Sequence, residues 1–414
     1  MTYKWGGSDL DALKKEFKSK TGKVPHIIES DAADPEATEI LEGTIPGLTA
    51  QQQKEHLIGD KAFAKIFSKE EGLGPVFVQS SCSNCHAGNG KGHPSTVITR
   101  FAKVNGLNVD YLLSYGGPQL QEHSIDGYPP ETIPAQANVI SKRLAPVVMG
   151  LGYISALADQ SILDNADPLD TDGDGISGRV SYVDPTEFFI PQSIHFINNG
   201  QYIGRFGKKA EKVTIQDQVV FALKQDIGIT SNFDMKDIFN PQAGNYTGDE
   251  VPDPEVSINF VNSIEFYLRT LKAPPRRDID NPDIIEGEKI FKSIGCVSCH
   301  KSTFTTAVSD IAALSEQTFH PYSDFLLHDM GEELNDGYPE GSASGSEWRT
   351  PPLWGLGLAK YSQGGEHYLL HDGRATSFEI AISYHGGEAS SRRTAFDNLS
   401  LQQKELVIKF LESL

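Results

Sequence analysis

The chain is short of the residues that staple or anchor a protein. Its 414 residues include four cysteines, four methionines and three tryptophans. No apolar run approaches the ~20 residues that a membrane-spanning helix needs, which excludes a membrane span on the sequence reading. Basic residues are also too few: 36 Lys and Arg face 56 Asp and Glu, for a formal charge of −20. That balance opposes a general nucleic-acid role and leaves solubility or a basic protein partner as its use. The opening MTYKWGG lacks the basic flank and apolar stretch of a secretory signal.

What cysteine there is falls into two Cys-x-x-Cys-His strings, CSNCH at 82–86 and CVSCH at 296–300, so none is left for a disulfide. At this spacing two thiols reach the two vinyl groups of one porphyrin, and the adjacent imidazole turns onto the iron. Cys82, Cys85 and His86 are therefore read as one covalent haem c site, and Cys296, Cys299 and His300 as a second. Four thiolates and two histidines also suit a structural zinc site, but zinc clusters rarely place their CxxC pairs 214 residues apart with His directly after each. Covalent haem attachment takes place outside the bacterial cytoplasm. The expected location is thus periplasmic or otherwise exported, with the signal trimmed and an initiator Met added.

Length predicts two domains with insertions. The Pro-rich LKAPPRRDIDNPD at 271–283 marks the boundary, giving 1–272 for the first haem domain and 273–414 for the second. The expected fold is mainly α: two cytochrome c-like haem domains with loop and short β insertions. GLTAQQQKEHLIGDKAFAKIF predicts a helix capped by Thr49 and Gln52, with Leu57, Ala62, Ile66 and Phe67 as its apolar positions. IIEGEKIFKSIGC predicts the opening helix of the second domain, turning Ile285, Ile290, Phe291 and Ile294 to the haem. LSLQQKELVIKFLESL predicts a closing helix capped by Ser400 or Asn398, with Leu406, Val407, Phe410 and Leu411 inward. Residues 180–207 read as short strands and turns. An internal repeat aligns Phe77 with Phe291, each five residues before a CxxCH, and PVVMGLG at 146–152 with PPLWGLG at 351–357.

A histidine-ligated haem is decided by its sixth position: a strong second ligand gives electron transfer, an open one gives peroxide or oxygen chemistry. Only Met1, Met149, Met235 and Met330 are available as thioethers. Near the first haem, His93, His123, Met149 and His195 are candidates, and Met149 occupies the repeat position of Trp354, which favours packing. His123 beside Glu122 could be a distal ligand or, with Glu122, an acid–base pair for peroxide; a structural histidine is the alternative. His371 reads as a hydrogen-bonding residue at the haem edge, with Arg374 placed for a propionate. In DPLDTDGDGISGR, Asp170, Asp172 and Asp174 with the Ile176 carbonyl match positions 1, 3, 5 and 7 of a calcium loop. Position 12 is Ser181, so the loop is partial, and a metal-free turn is the other reading.

CVSCH, RTPPLWGLG and HDGRATSFEIAISYHGG together resemble the C-terminal haem domain of the bacterial di-haem cytochrome c peroxidase superfamily. GLGPVF, DTDGDGISGR, GRFG, YSDFLLHDMG and YHGGEA resemble its di-haem oxidoreductase branch, from about Pro46 to the end. The resemblance implies that His385 is the distal ligand of the second haem opposite His300, where the peroxidases usually carry Met. It also implies that His328 and Met330 are not ligands, and it adds weight to calcium. Lys208 stands where the branch tends to carry Trp, and Trp348 and Trp354 are left as aromatic candidates near the second haem. The first domain has no counterpart of His385. The expected function is a peroxidase-like oxidoreductase: haem 1 reacts with hydrogen peroxide or another small oxidant, Glu122 assists, and haem 2 relays electrons from a small redox protein. A non-enzymatic electron-transfer cytochrome is the alternative.

Overall fold

Thr49 accepts the N–H of Gln52 and Gln52 returns a bond to the Thr49 N–H, and this capping box starts helix α1 (Ala50–Phe63). The computed structural model describes residues 43–239, 241–243 and 248–414, all within one unit, 34–414. Met1 and the polar stretch 1–42 lie outside the described residues. After α1 come β1 (Val76–Phe77) and α2 (Cys82–Cys85), the first CxxCH. Next are β2 (Ile98–Asn105), β3 (Asn108–Asp110), β4 (His123–Ser124) and β5 (Val139–Arg143). β2 is the centre of an antiparallel sheet in the order β3-β2-β5, and β4 pairs with β1. Helices α3 (Leu151–Ser155) and α4 (Asp159–Leu163) precede a second sheet of β6 (Ser181–Val183), β7 (Ile197–Asn198) and β8 (Gln201–Gly204), within the stretch expected to form short strands. Helix α5 (Ile215–Ala222) runs on through a π turn to Ile227, and α6 (Ile258–Thr270) closes the first half.

The second half opens with α7 (Pro282–Ser293), followed by the second CxxCH on a short 3₁₀ turn, Cys296–Ser298. Two hairpins follow, β9 (Phe304–Thr305) with β10 (Thr318–Phe319) and β11 (Leu327–Asp329) with β12 (Glu347–Arg349). Four helices end the chain: α8 (Ala359–Ser362), α9 (Phe378–Ser383), α10 (Ser390–Asp397) and α11 (Leu401–Ser413). Among the described residues no helix is long and apolar enough to cross a membrane.

The expectation of a mainly α fold fails. The described residues are 34% helix and 14% strand, and among their helices only α1, α6, α7 and α11 exceed eight residues. The reason lies in the long connections between each CxxCH and its GLG string. ITRFAKVN and VISKR are rich in β-branched residues and pair as β2 and β5. Phe101 from β2 packs with Leu112 and Leu120 as a small core of its own. Within α1 the predicted stripe is also corrected. Leu57 and Ile66 are exposed, the helix stops at Phe63, and the buried face is His56, Gly59, Ala62 and Phe63. Ile285 likewise points outward while Ile290 and Phe291 are buried. Ser400, not Asn398, caps α11.

The long helices form one device twice: α1 packs on α6, and α7 on α11. Gly59 sits against the Ser263 carbonyl and Tyr267, and Gly287 against the Leu406 carbonyl and Phe410, so closely that a Cβ on either would overlap the carbonyl oxygen. Four residues on, Phe63 and Phe291 tilt against His86 and His300 with ring centroids 6.0 and 6.1 Å apart. GDKAF at 59–63 is therefore the equivalent of GEKIF at 287–291, which corrects the pairing of Phe77 with Phe291. Phe77 stacks on His123 instead, at 5.7 Å. The GLG repeat holds: Gly152 presses on the Arg269 carbonyl and Gly357 on the Glu412 carbonyl, the same place on each closing helix. Helix propensity alone favours Ala over Gly by about 1 kcal/mol. Gly287→Ala is nevertheless expected to destabilise by roughly 1–3 kcal/mol in chemical denaturation, because the helices must part. An unchanged midpoint would show that the crossing relaxes freely.

Candidate functional site

One cavity of about 440 Å³ reaches from Cys82, Cys85 and His86 to Cys296, Cys299, His300 and His385. The paired helices, the GLG strings and α9 supply its apolar lining, including Phe63, Phe291, Trp354 and Phe378. Burial pushes the Cys82, Cys85 and Cys296 thiols up to about 12. Such thiols are poor nucleophiles and poor thiolate ligands. Among the described residues the two CxxC pairs do not come together in one metal-binding cluster.

The histidines are prepared differently at the two ends. His300 donates Nδ1–H to the Tyr322 carbonyl and His385 donates Nδ1–H to the Ala381 carbonyl, each at 2.9 Å. A carbonyl only accepts, so the bond fixes the tautomer and leaves Nε2 to the cavity. Burial lowers both below the usual imidazole value, His300 to about 4. Neutral imidazole is the form that ligates metal. His86 is also lowered to about 4 by burial, with the Pro146 carbonyl nearby, but no well-formed hydrogen bond reaches its Nδ1.

The cavity is also lined by Lys91, Arg143, Lys208 and Arg349. Burial, then the charges of Arg143 and Arg349, pushes Lys208 down to about 7. Arg143 pairs with Glu340 at 2.7 Å, yet among the described residues no carboxylate bonds to the Nζ of Lys91 or Lys208. Unpaired buried cations are costly and call for an anionic partner. Carboxylates carried by a cofactor answer that need, as haem propionates do. With this cationic rim, the apolar walls and the free Nε2 atoms, the residues at each CxxCH fit a haem.

Other predicted residues lie elsewhere. Glu122 and His123 are exposed and do not line the cavity. His371 is buried and stacks on Trp348, centroids 3.8 Å apart and 10° from parallel. Arg374 pairs with Asp372 at 2.7 Å and bonds the Glu333 carbonyl at 2.8 Å, so it is already engaged. His328 donates Nε2–H to Asp324 at 2.9 Å and Nδ1–H to Glu388 at 2.7 Å. Met149 is buried, and its carbonyl accepts the Trp354 indole N–H at 3.0 Å, joining the two GLG strings. His93 packs on Tyr368 and His195 on Phe189; Met235 is exposed.

Sequence reasoning missed Asp226, which lines the cavity. Burial raises its carboxyl to about 6, against a lowering bond from Gln119, whose Nε2 donates to Oδ1 at 2.6 Å. It sits in ALKQDIGI, on the π turn after α5, at no telling distance from either CxxCH. Of the cavity cations, Lys91 and Arg143 were equally silent, since a lone Lys or Arg carries no motif.

In the calcium-type loop, carboxylate oxygens of Asp167, Asp170 and Asp172 converge within 4.8 Å. Asp174 turns away to pair with Arg392 at 2.8 Å, while its Oδ1 accepts the Ile176 N–H. The loop docks on the segment after His385: Glu388 accepts Ser177 N–H at 2.9 Å and Asp329 N–H at 2.9 Å.

Residues 135–414 match the model of the family described as "Di-haem oxidoreductase, putative peroxidase". No curated protein matches the chain. Among solved structures, hydrazine synthase from Kuenenia stuttgartiensis under xenon aligns at 14% identity over 91% of this chain and 92% of that one, with a TM-score of 0.38.

Proposed function

Because the chain belongs to the di-haem oxidoreductase family, we propose that it is a peroxidase-like enzyme with two covalent c-type haems, reactive at His86 and relaying electrons at His300. The asymmetry of the imidazoles carries this reading. His385 brings a second free Nε2 to the cavity near His300. The other cavity-lining histidines are engaged, His328 by two carboxylates and His371 by its Trp348 stack. Met330 lies beside Gly386, at the His385 end. The His86 end is thus left without a second strong ligand.

Each haem, when bound, supplies a redox-active iron. His300 and His385 would hold one iron through Nε2, and Lys91, Arg143, Lys208 and Arg349 would pair with the propionates. Asp226 replaces Glu122 as the acid: Gln119 occupies its Oδ1, and Oδ2 holds the proton needed when hydrogen peroxide, two protons and two electrons give two waters. A small redox protein delivers the electrons. Residues 1–272 serve the first haem and 273–414 the second. Asp167, Asp170 and Asp172 bind calcium in this reading, and the attachment chemistry puts the protein in the periplasm.

The test is the ferric spectrum with turnover. One high-spin and one low-spin haem, with peroxide consumed against a reduced donor, is the expected result. Two low-spin haems unmoved by peroxide or cyanide would make the protein an electron carrier. Because the protonated carboxyl donates, turnover is expected to be greatest below pH 6 and to fall as pH rises through about 6. Asp226→Asn should lower it by at least ~10²-fold and remove that limb.

A further inference from the structure

Between α5 and α6 the chain gathers four carboxylates that the di-haem reading leaves without a task. Oxygens of Asp237, Asp253 and Glu255 lie within 4.8 Å of one another. Asp249 lies against them, 1% exposed, with its N–H donating to Asp237 Oδ2 at 3.3 Å. The Val251 N–H takes Asp249 Oδ1 at 2.7 Å. Its Oδ2 is buried without a partner, as are Asp237 Oδ1 and Glu255 Oε1. Thr230 bonds Asp253 Oδ1 and Glu255 Oε2, which orients both side chains and leaves their other oxygens free.

Among the described residues no cation forms an ion pair with this cluster. Lys224, whose charge acts on Asp237, is paired with Asp234 at 2.8 Å, Lys69 acts on Asp249 by its charge alone, and among the described residues no ion pair joins Lys or Arg to any of the four. Burial and then mutual repulsion push Asp237 up to about 6, and burial raises Glu255 to about 7 even against its bonds from Thr230. Buried carboxylate oxygens in this number are tolerated when a hard cation takes them. An all-oxygen donor set without imidazole or thiolate suits calcium, which accepts six to eight oxygens in irregular geometry, better than a transition metal.

We propose that Asp237, Asp249, Asp253 and Glu255 form a calcium site, separate from the Asp167 loop, that ties down the α5–α6 connection. By fixing the chain just ahead of the Ser257 cap, bound calcium holds α6 and so the Tyr267 ring that packs on Phe63 beside His86.

The test uses the haem-loaded full chain, stripped with a chelator and titrated with calcium chloride by calorimetry and thermal melting. The wild type should gain a few degrees in Tm on adding calcium. Asp253→Asn/Glu255→Gln should lose one bound equivalent and most of that gain. It should also melt at or above the wild type in chelator, because like charges have been removed. Asp170→Asn/Asp172→Asn should keep this equivalent and its Tm gain. Two outcomes overturn the site. One is calcium stoichiometry and Tm gain unaltered in Asp253→Asn/Glu255→Gln, or absent from the wild type. The other is a double variant that melts well below the wild type in chelator, which would make the carboxylates structural acceptors for Thr230 alone.

Discussion

Replacing His385 by alanine is expected to turn one of the two haems from low to high spin and to leave the other as it was. His385 follows α9, directly after its Tyr384 cap, and its ring is held: Ala381, one turn back, binds Nδ1 through its carbonyl. Burial lowers the imidazole below its usual value, which favours the neutral form that ligates a metal through Nε2. Alanine removes the donor and leaves a space that no neighbouring histidine can fill, since both nitrogens of His328 are committed. His385→Met is the informative companion. It should keep the low-spin spectrum and raise the potential of that haem, because thioether ligation favours the reduced iron more than imidazole does. A His385→Ala protein with an unchanged spectrum would remove His385 from ligation and with it the assignment of the relay.

His328→Ala is expected to be the most destabilising of the substitutions considered, by about 3–5 kcal/mol in chemical denaturation. His328 is 3% exposed and Asp324 1%. Burial alone would lower this imidazole, but bonds to Asp324, Cys299 and Glu388 overcome that and push it up to about 12. It is therefore a buried cation between two carboxylates, and its loss leaves both uncompensated. Because the native value lies above the usual 6.5, the contribution to stability is complete below about pH 6.5 and is lost as pH climbs towards 12. Wild-type stability should accordingly fade on the alkaline side more steeply than that of the variant. Equal alkaline slopes would show that His328 is not charged in the folded protein.

The sequence carried the two CxxCH strings, the GLG pair and His385, because each is a short pattern or a resemblance tied to neighbouring residues. It carried less of the frame. GDKAF and GEKIF are visible once compared, yet anchoring the repeat on the cysteines hid them, since the first half inserts β1 between its helix and its CxxCH. The β content was hidden for another reason: apart from the eight-residue β2, the strands run to two to five residues, too short for their alternation to stand out. Asp226, Lys91 and Arg143 could not be read at all. Each becomes a site residue only through burial beside the cavity, and burial of a single polar residue has no sequence signature. Glu122 and His123 illustrate the converse. Adjacent acid and base look catalytic on paper, and the β1–β4 pairing leaves both exposed.

The contacts of Gly59 and Gly287 have a consequence for how freely the two halves can diverge. Each glycine meets a backbone carbonyl, and a carbonyl is the same whatever side chain its residue bears. The crossing is therefore blind to most of the partner helix's composition at the contact point, serine at 263 in one case and leucine at 406 in the other. Two helix pairs of dissimilar sequence keep one geometry, and substitutions can accumulate around each iron pocket without loosening the joint that frames it.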